Sequence, residues 1–442
     1  MKDEHAAIGA DEAGALFAPL RRYELLVLAV SGGSDSIALL KLAHQWCLGL
    51  GAAAPHLSVA TVDHQLRKDS AGDAAFVTAF AAELERDCTT LVWDGQKPWS
   101  GVLDAAREAR YRLLEQHAHA LAGQRTAAVV TAHTLDDQAE TVMMRLKRGT
   151  GVDGLAAMSV CRPISEGSPI DLVRPLLGVR KTRLEGTLIA RGLPWREDSS
   201  NEDQFFERVR VRKAVQNLKY MGVTTEALAR TADRARQARE AIDYAAEKLR
   251  TSLNIAFNGE IFASFERAAF DQAPSLLRQR VLAPLITRFG GATPAAELRE
   301  LERLCEAMTA LPRSTHTLGG VTISSGERYV RLWREVGRIA RKPLRLEPGR
   351  PVLWDGRFLV AHTLSRDEAV TVSALGEGGY RAIAAADLAV PACPARAAYA
   401  LPAFRSGGDL LAVPQLGVEV SGGALMKAGS ATRCTSVPAA QP

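Results

Sequence analysis

The sequence predicts an α/β protein whose residues 1–205 form a doubly wound, parallel-sheet domain. Two observations support this prediction. Short apolar runs alternate with helix-like segments, and a glycine–serine loop joins the first run to the segment after it. Alternation of this kind is typical of βαβ units, which build parallel sheets.

The elements of this first domain follow from apolar runs and helical spacing. Residues 71–85, for example, place Phe76, Val77, Phe80 and Leu84 on one helical face. The predicted strands are 25–30, 57–62, 90–93 and 127–132, and the predicted helices are 37–50, 71–85, 102–122 and 136–148.

Beyond residue 205 the character of the chain changes. Residues 206–345 are rich in Ala, Arg and Glu and are predicted to form a mostly helical domain, with short strands within 321–336. Residues 346–420 are β-rich with glycine pairs at turns, which predicts a small α+β C-terminal module. Residues 421–442 are small and polar, as is typical of a disordered tail.

The composition excludes several classes of protein. Hydrophobic residues make up 47% and charged residues 24%, which excludes a wholly disordered or fibrous chain. No apolar stretch approaches the ~18 residues of a membrane helix, and the acidic N-terminus has no signal core, so we expect a cytoplasmic protein without a membrane partner. The six cysteines form no CxxC pair, which argues against disulfides, zinc and a cysteine-held iron–sulfur cluster.

Positive charge is concentrated in two segments, although the formal net charge is only +5. Residues 205–240 hold nine Lys or Arg against four Asp or Glu, and residues 331–345 hold six against one. Basic surfaces of this kind suit a polyanion, and solvated helix faces explain them equally well.

The sharpest motif is Ser31-Gly-Gly-Ser-Asp-Ser36, between a predicted strand and helix. Gly32 and Gly33 let the backbone approach an anion, and the amides of the following helix attract negative charge. The hydroxyls of Ser31, Ser34 and Ser36 add donors. Because a carboxylate repels phosphate, we interpret Asp35 as a contact of Mg²⁺. The alternative is a glycine turn in which Ser and Asp only cap the helix. The loop matches neither the Walker A nor the GxGxxG pattern.

This loop resembles the SGGxDS motif of the ATP pyrophosphatases, the PP-loop superfamily with an adenine nucleotide alpha hydrolase-like fold. Those enzymes cleave ATP between its α- and β-phosphates. The resemblance implies that residues 31–36 grip the pyrophosphate and that ATP and Mg²⁺ are the cofactors.

Further segments resemble the tRNA(Ile)-lysidine synthetase family in order and spacing. They are Val62-Asp-His-Gln-Leu-Arg67, Ala105-Ala-Arg-Glu-Ala-Arg-Tyr-Arg112, Ala132-His-Thr-Leu-Asp-Asp-Gln-Ala-Glu-Thr141, Arg174-Pro-Leu-Leu177 and Glu197-Asp-Ser-Ser-Asn201.

The family resemblance implies a specific reaction. ATP would adenylate the C2 oxygen of the first anticodon cytidine in a CAU-bearing tRNA(Ile), and L-lysine would then displace AMP to leave lysidine. The partners implied are that tRNA and L-lysine, and a homodimer is plausible. Two alternatives stay open: a tRNA 2-thiolation enzyme of the same superfamily, and a regulatory protein that binds ATP without turnover.

Catalytic roles are predicted for three residues. Asp35 and Asp137 are expected to hold Mg²⁺, and Asp137 alternatively orients or deprotonates the amine of the substrate. Arg107 is expected to stabilise charge on the α-phosphate. Asp63 and His64, at the end of the second strand, are expected near the adenosine. Each also has a structural explanation: a helix-capping carboxylate, a salt-bridged helix face and a strand-ending turn.

The remaining site predictions concern lysine or tRNA. A helix cap explains residues 198–201 equally well, and Glu140 has a second explanation as an ion-pair partner of nearby arginines. Val209 stands where the family commonly has asparagine, between two arginines that suit tRNA phosphates. The residues predicted to bind lysine or tRNA are His133, Asp136, Glu140, Asp198, Asn201, Arg208 and Arg212.

Overall fold

The structure is a computed structural model. It describes residues 5–66, 70–95, 97–197, 207–294, 296–311, 313–364, 369–386, 390–421, 424–427 and 432–436. Asp198 and Asn201 therefore lie outside the described residues. The chain forms two compact units, 1–240 and 241–442. No helix in the described ranges is long and apolar enough to cross a membrane.

The first unit contains a six-stranded sheet with the order β3-β2-β1-β4-β6-β5. All neighbours pair in parallel except β5, which runs antiparallel to β6. The strands are β1 (Leu25–Ala29), β2 (His56–Asp63), β3 (Cys88–Val92), β4 (Ala127–Val130), β5 (Cys161–Pro163) and β6 (Asp171–Val173).

Helices cover both faces of this sheet, which confirms the predicted doubly wound domain. Leu26 and Leu28 of β1 belong to the core on one face, and Leu25 and Val27 belong to the core on the other. Successive side chains of a strand point to opposite faces, so a strand buried on both sides is apolar throughout. The helices are α1 (Ala10–Phe17), α2 (Ser34–Leu50), α3 (Ser70–Glu83), α4 (Val102–Ala122), α5 (Leu135–Lys147), α6 (Val152–Leu155), α7 (Lys181–Ile189) and α8 (Glu207–Leu218).

The helix α9 (Thr225–Ser252) begins in the first unit and ends in the second. In the second unit, α10 (Arg267–Gln272), α11 (Ser275–Gly290) and α12 (Leu298–Ala310) accompany a five-stranded antiparallel sheet of order β7-β8-β11-β10-β9. Its strands are β7 (Ala256–Asn258), β8 (Phe262–Glu266), β9 (Ser314–Leu318), β10 (Val321–Ser325) and β11 (Tyr329–Arg334).

The hairpin β7–β8 differs from the prediction, which assigned helices to this stretch. Gly259 and Glu260 between the strands both have positive φ angles, 61° and 58°. Two consecutive residues of that kind form the tight turn that joins antiparallel strands, and the amide of Ile261 closes it by donating to the carbonyl of Asn258 at 3.0 Å. The central pair is Gly-Glu rather than the preferred Asn-Gly, so the sequence gives only a weak hairpin signal in a region whose composition favours helices.

The C-terminal part of the second unit is β-rich, with the helices α13 (Gly376–Ala385) and α14 (Ala395–Ala398). Its sheets have the orders β12-β15-β16-β17-β18-β19 and β13-β14-β20. The strands are β12 (Leu344–Arg345), β13 (Val352–Trp354), β14 (Phe358–His362), β15 (Val370–Ala374), β16 (Pro402–Ser406), β17 (Asp409–Val413), β18 (Val418–Ser421), β19 (Ala424–Lys427) and β20 (Thr432–Ser436).

The strands β19 and β20 correct the prediction of a disordered tail from residue 421. β19 pairs antiparallel with β18, and β20 pairs along the whole of β14. A small, polar segment can join a sheet in this way because backbone hydrogen bonds to an existing strand do not depend on large apolar side chains.

Candidate active site

A cavity of about 740 Å³ opens at the carboxyl edge of the first sheet. Ligands of open α/β sheets bind at this edge, where loops from neighbouring strands meet. The loop after β1, the segments that follow β2 and β4, and side chains from α4, α7 and α8 all line this cavity. Predicted site residues from distant parts of the sequence are thus brought together.

The loop after β1 is held in a tight curl by its own serines. Ser36 Oγ donates to the carbonyl of Gly33 at 3.0 Å and accepts the amide of Ser31 at 3.2 Å. Gly32 has a φ of +91°, a conformation that side-chain-bearing residues avoid. Because α2 begins at Ser34, its first-turn amides have no partners within the helix. The loop therefore offers donors to an anion in the cavity.

Asp35 contributes an unusual carboxylate to the same loop. Its Oδ1 is buried and accepts no hydrogen bond from any residue in the described ranges. Nζ of Lys181 lies 4.0 Å from its Oδ2. Burial raises the pKa of Asp35 to about 7. Lys181 opposes this shift, and the nearby carboxylates of Asp137 and Glu185 add to it. Because a buried, charged carboxylate is costly without a partner, a cation bound next to Asp35 would be favourable.

Asp137 caps the helix that follows β4. Its Oδ2 accepts the amide of Thr134 at 2.7 Å and the hydroxyl of Thr134 at 3.0 Å, completing a capping box at the start of α5. Its Oδ1 forms an ion pair with Arg208. Burial opposes ionisation of Asp137, but Arg208, His133 and the Thr134 hydrogen bonds together hold its pKa below the ordinary value.

His133 lines the cavity just before this cap. Its Nδ1 lies 2.9 Å from the hydroxyl of Thr131. Burial lowers the pKa of His133 to about 3, because the opposing effect of Asp137 is outweighed by burial and by nearby arginines such as Arg174. The imidazole is therefore neutral at physiological pH.

Asp136, predicted as a ligand of lysine or tRNA, contacts the residues that begin α7. Its Oδ2 accepts the backbone amide of Lys181 at 2.8 Å and Nε of Arg180 at 3.3 Å. Its Oδ1 lies 3.2 Å from Nη2 of Arg180. Asp136 therefore holds the start of α7 next to the cavity.

Glu140 joins α5 to α8. Its side chain is only 4% exposed, and its two oxygens accept hydrogen bonds of 2.7 Å from Nε of Arg208 and Nε of Arg212. The segment 208–212, predicted as either a helix start or a strand edge, lies in a helix, and Val209 is buried there. Arg208 and Arg212 line the cavity while they hold Glu140.

Arg107 and His64 also line the cavity. The Arg107 guanidinium lies over the ring of Tyr111, 5.2 Å from its centroid. His64 packs edge-on against Trp93, with ring centroids 6.1 Å apart. Asp63 Oδ1 accepts the amide of Gln65 at 2.8 Å, as in the strand-ending turn that was its alternative explanation.

Several charged residues that line this cavity were not among the predicted site residues, and two of them belong to α7. Lys181 and Glu185 lie one turn apart on α7 and both line the cavity. A signal was present, because α7 follows the Arg174–Leu177 segment directly and begins with adjacent basic residues. The amide of Arg196 also donates to Gly32 at 2.9 Å, which ties a later segment to the loop.

A doubly wound parallel sheet with a Ser-Gly-Gly-Ser-Asp-Ser loop at its carboxyl edge defines a PP-loop nucleotide-binding protein. In agreement, a family model described as a PP-loop domain matches residues 8–219.

Curated relatives narrow this class further. The chain is 39% identical over 365 residues to the tRNA(Ile)-lysidine synthase of a Bradyrhizobium species (strain BTAi1), covering 79% of this chain and 97% of the relative. It is 41% identical to the enzyme of that name from Bradyrhizobium diazoefficiens, covering 73% and 93%. It is 37% identical to that from Ruegeria pomeroyi, covering 89% of each chain. The protein belongs to the tRNA(Ile)-lysidine synthase family.

Proposed function

We propose that this protein joins L-lysine to C2 of the first anticodon cytidine in a CAU-bearing tRNA(Ile), with conversion of ATP to AMP and pyrophosphate. This proposal rests on one observation: the PP-loop and arginines of α4 and α8 line the same cavity. The loop supplies donors for the outer phosphates, and the arginines supply positive charge for the α-phosphate and the RNA.

The proposed reaction has two steps. First, the C2 oxygen of the cytidine attacks the α-phosphorus of ATP, the bond to the bridging oxygen breaks, and pyrophosphate leaves with the electron pair. Second, the neutral amine of lysine attacks C2, the C2–oxygen bond breaks and AMP leaves. The amine loses a proton in this step, and Arg107 stabilises negative charge that develops on the α-phosphate in the first.

Asp137 fits the binding of the cationic amine better than proton abstraction. Its pKa lies below the ordinary value, so the carboxylate stays ionised at neutral pH. An ionised carboxylate attracts the ammonium form of lysine, whereas a good general base has a pKa near the operating pH. Neutral His133, on the same cavity wall, adds no positive charge that would repel the amine.

Mg²⁺ fits Asp35. The buried Oδ1 without a donor is a ready oxygen ligand, and Mg²⁺ commonly takes one or two carboxylates together with phosphate oxygens. Both oxygens of Asp137 already accept hydrogen bonds, from Thr134 and Arg208, and neither is unpartnered like Oδ1 of Asp35. An ammonium group can share such an oxygen as one more hydrogen-bond donor, whereas the adjacent guanidinium disfavours a divalent cation, so we assign the protein's part of the Mg²⁺ site to Asp35. When bound, Mg²⁺ would neutralise charge on the phosphates.

The RNA would reach the cavity along the basic segment that contains α8. Arg208 and Arg212 lie at the cavity, and Arg210 and Lys213 are exposed on the same helix. Phosphate contacts of this kind hold an RNA in place without reading its sequence. Asp198 and Asn201, predicted to act here as well, are not needed for this part of the proposal.

The thiolation alternative is less supported by the cysteines. Among the described residues, Cys47, Cys88, Cys161, Cys305 and Cys393 are free thiols, and none of these five lines the cavity. Burial raises the pKa of Cys305 to about 11 and also raises the pKa of Cys47, which makes both less reactive. Free thiols also fit the cytoplasmic location that we expect.

The test is an assay of the purified protein with α-labelled ATP, L-lysine and a CAU-bearing tRNA(Ile) transcript. We expect AMP release that depends on both lysine and tRNA, and a tRNA whose cytidine has gained the mass of lysine less one water. A transcript with uridine at the same position is the matched control and should give neither. ATP binding without AMP release would favour the regulatory alternative, and ADP as the product would contradict the proposal.

A further inference from the structure

The PP-loop contains no lysine of its own, yet a lysine from another helix stands beside it. Nζ of Lys181 lies 4.0 Å from Oδ2 of Asp35 and 3.9 Å from Oε1 of Glu185. Its side chain is 38% exposed and lines the same cavity as the loop serines. Both ion pairs are long, so the ammonium group is close to the loop without being held by a short hydrogen bond to either carboxylate.

The backbone of Lys181 is fixed more firmly than its side chain. Oδ2 of Asp136 accepts the Lys181 amide at 2.8 Å. The neighbouring Arg180 is bound by Asp136 and, through Nη1, by Glu226 at 2.5 Å. Of these two adjacent cations, Arg180 is therefore occupied with helix contacts and Lys181 faces the cavity.

We propose that Lys181 binds the β- and γ-phosphates of ATP and the pyrophosphate product, and that Asp136 is the positioning residue that places it. This inference rests on the proposed function only for the cleavage of ATP to AMP and pyrophosphate. Pyrophosphate is strongly anionic, and its oxygens are better partners for an ammonium group than two carboxylates at about 4 Å. Lys181 thus supplies from α7 the positive charge that the loop sequence lacks.

The first experiment measures equilibrium binding of inorganic pyrophosphate, ATP and AMP in the presence of Mg²⁺, without lysine or tRNA. Lys181→Met should weaken the binding of pyrophosphate and of ATP about 10- to 30-fold, which is the usual contribution of one charged contact to affinity. The affinity for AMP should change less than about twofold, because AMP lacks the β- and γ-phosphates. Lys181→Arg should keep most of the pyrophosphate affinity. Lys41→Met, on α2 and outside the cavity lining, is the matched control and should bind all three ligands normally.

A general loss of structure would weaken AMP binding as well, so the contrast between the ligands separates the two explanations. Unchanged pyrophosphate affinity in Lys181→Met would overturn the inference. Because the assay contains no lysine or tRNA, it remains decisive for Lys181 even if the protein proves to make no lysidine.

The second experiment is a double-mutant cycle between Asp136 and Lys181. Asp136→Asn should weaken pyrophosphate binding about three- to tenfold, and the double variant should bind no more weakly than Lys181→Met alone. Additive losses would show that Asp136 does not act through Lys181. Should Asp136→Asn lose AMP binding through misfolding, Asp136→Glu keeps the charge for Arg180 while it displaces the acceptor of the Lys181 amide, and the same non-additivity is expected.

Discussion

Glu140 of α5 accepts a 2.7 Å hydrogen bond from Nε of Arg208 in α8, and the carboxylate that receives it is almost completely buried. The second oxygen of Glu140 accepts a hydrogen bond of 2.7 Å from Nε of Arg212. Two arginines that the sequence assigns to RNA therefore also fasten α8 to the domain that contains the PP-loop. Their position at the cavity depends on a carboxylate that substrate does not need to touch.

Replacing Glu140 by glutamine should destabilise the protein. The change removes the anionic partner of Arg212 and leaves Arg208 with its ion pair to Asp137 alone. Each guanidinium group is only about a third exposed to water (38% for Arg208 and 35% for Arg212). We expect the free energy of unfolding, measured by urea titration, to fall by about 1–3 kcal/mol. Glu207→Gln, which removes exposed pairs with Lys147 and Arg148, is the control and should change it by less than about 0.5 kcal/mol. Equal effects of the two variants would contradict the structural role of Glu140.

Gly32→Ala should weaken ATP binding more than it weakens the fold. The φ of +91° at Gly32 is strained for alanine, and the strain falls on the loop that holds the phosphates. We expect an increase in the ATP dissociation constant of about tenfold, from a strain of about 1–2 kcal/mol. Gly123, which ends α4 with a φ of +59°, provides a matched control. Gly123→Ala should lower the melting temperature similarly and leave ATP affinity unchanged, and a tenfold loss there would sink the assignment of the loop.

Arg107→Met should reduce turnover rather than ATP affinity. If Arg107 stabilises charge that develops on the α-phosphate, its removal costs transition-state energy, and kcat should fall by about 10²–10³-fold. The ATP dissociation constant should rise less than about threefold, since the ground state uses this contact weakly. Arg112→Met, an exposed position on the same helix, should retain full activity. A rise in KM with unchanged kcat would assign Arg107 to ground-state binding instead.

The parts of the fold that the sequence predicted well are those with a strong helical periodicity or a continuous apolar run. The helix 102–122 was predicted with its observed bounds, and the strand at 25–30 differs from β1 by one residue. The β7–β8 hairpin was missed because its strands are too short to outweigh the helical composition around them. The strands within residues 421–442 were missed because their small, polar composition does not predict a strand. Backbone pairing with β14 and β18 forms these strands instead.

Site residues were predictable where they lie within or beside a recognisable sequence motif. They were not predictable where a contact between distant parts of the chain places them at the cavity. Asp35, His64, Arg107 and His133 all line the cavity, as expected for residues at the carboxyl ends of strands or on the facing helix. Lys181 was missed because the local signal, two adjacent basic residues at the start of α7, does not reveal that Asp136, 45 residues earlier, holds the backbone of this lysine beside the cavity. No local pattern distinguishes a carboxylate that binds substrate from one that anchors a neighbouring helix.

His133 should make stability depend on pH between pH 5 and pH 7. Burial first, with Arg174, Arg110 and Arg208 adding to it and Asp137 opposing, lowers the pKa of His133 to about 3. The pKa of an unfolded histidine is near 6.5. Below that pH the imidazole of His133 is therefore protonated in the unfolded chain but stays neutral in the folded protein. The free energy of unfolding is therefore unaffected by protonation of His133 well above pH 6.5. It decreases as the pH falls through 6.5, by about 2 kcal/mol at pH 5.

His133→Gln cannot take up this proton, so its free energy of unfolding should fall less between pH 7 and pH 5 than that of the wild-type protein. Urea titrations at pH 5, 6 and 7 measure the difference, which we expect to reach about 2 kcal/mol at pH 5. His119→Gln, at an exposed position on α4, is the matched control and should keep the wild-type dependence. If His133→Gln and the wild-type protein lost stability in parallel, His133 would be protonated in the folded state, and its neutral role beside the substrate amine would have to be abandoned.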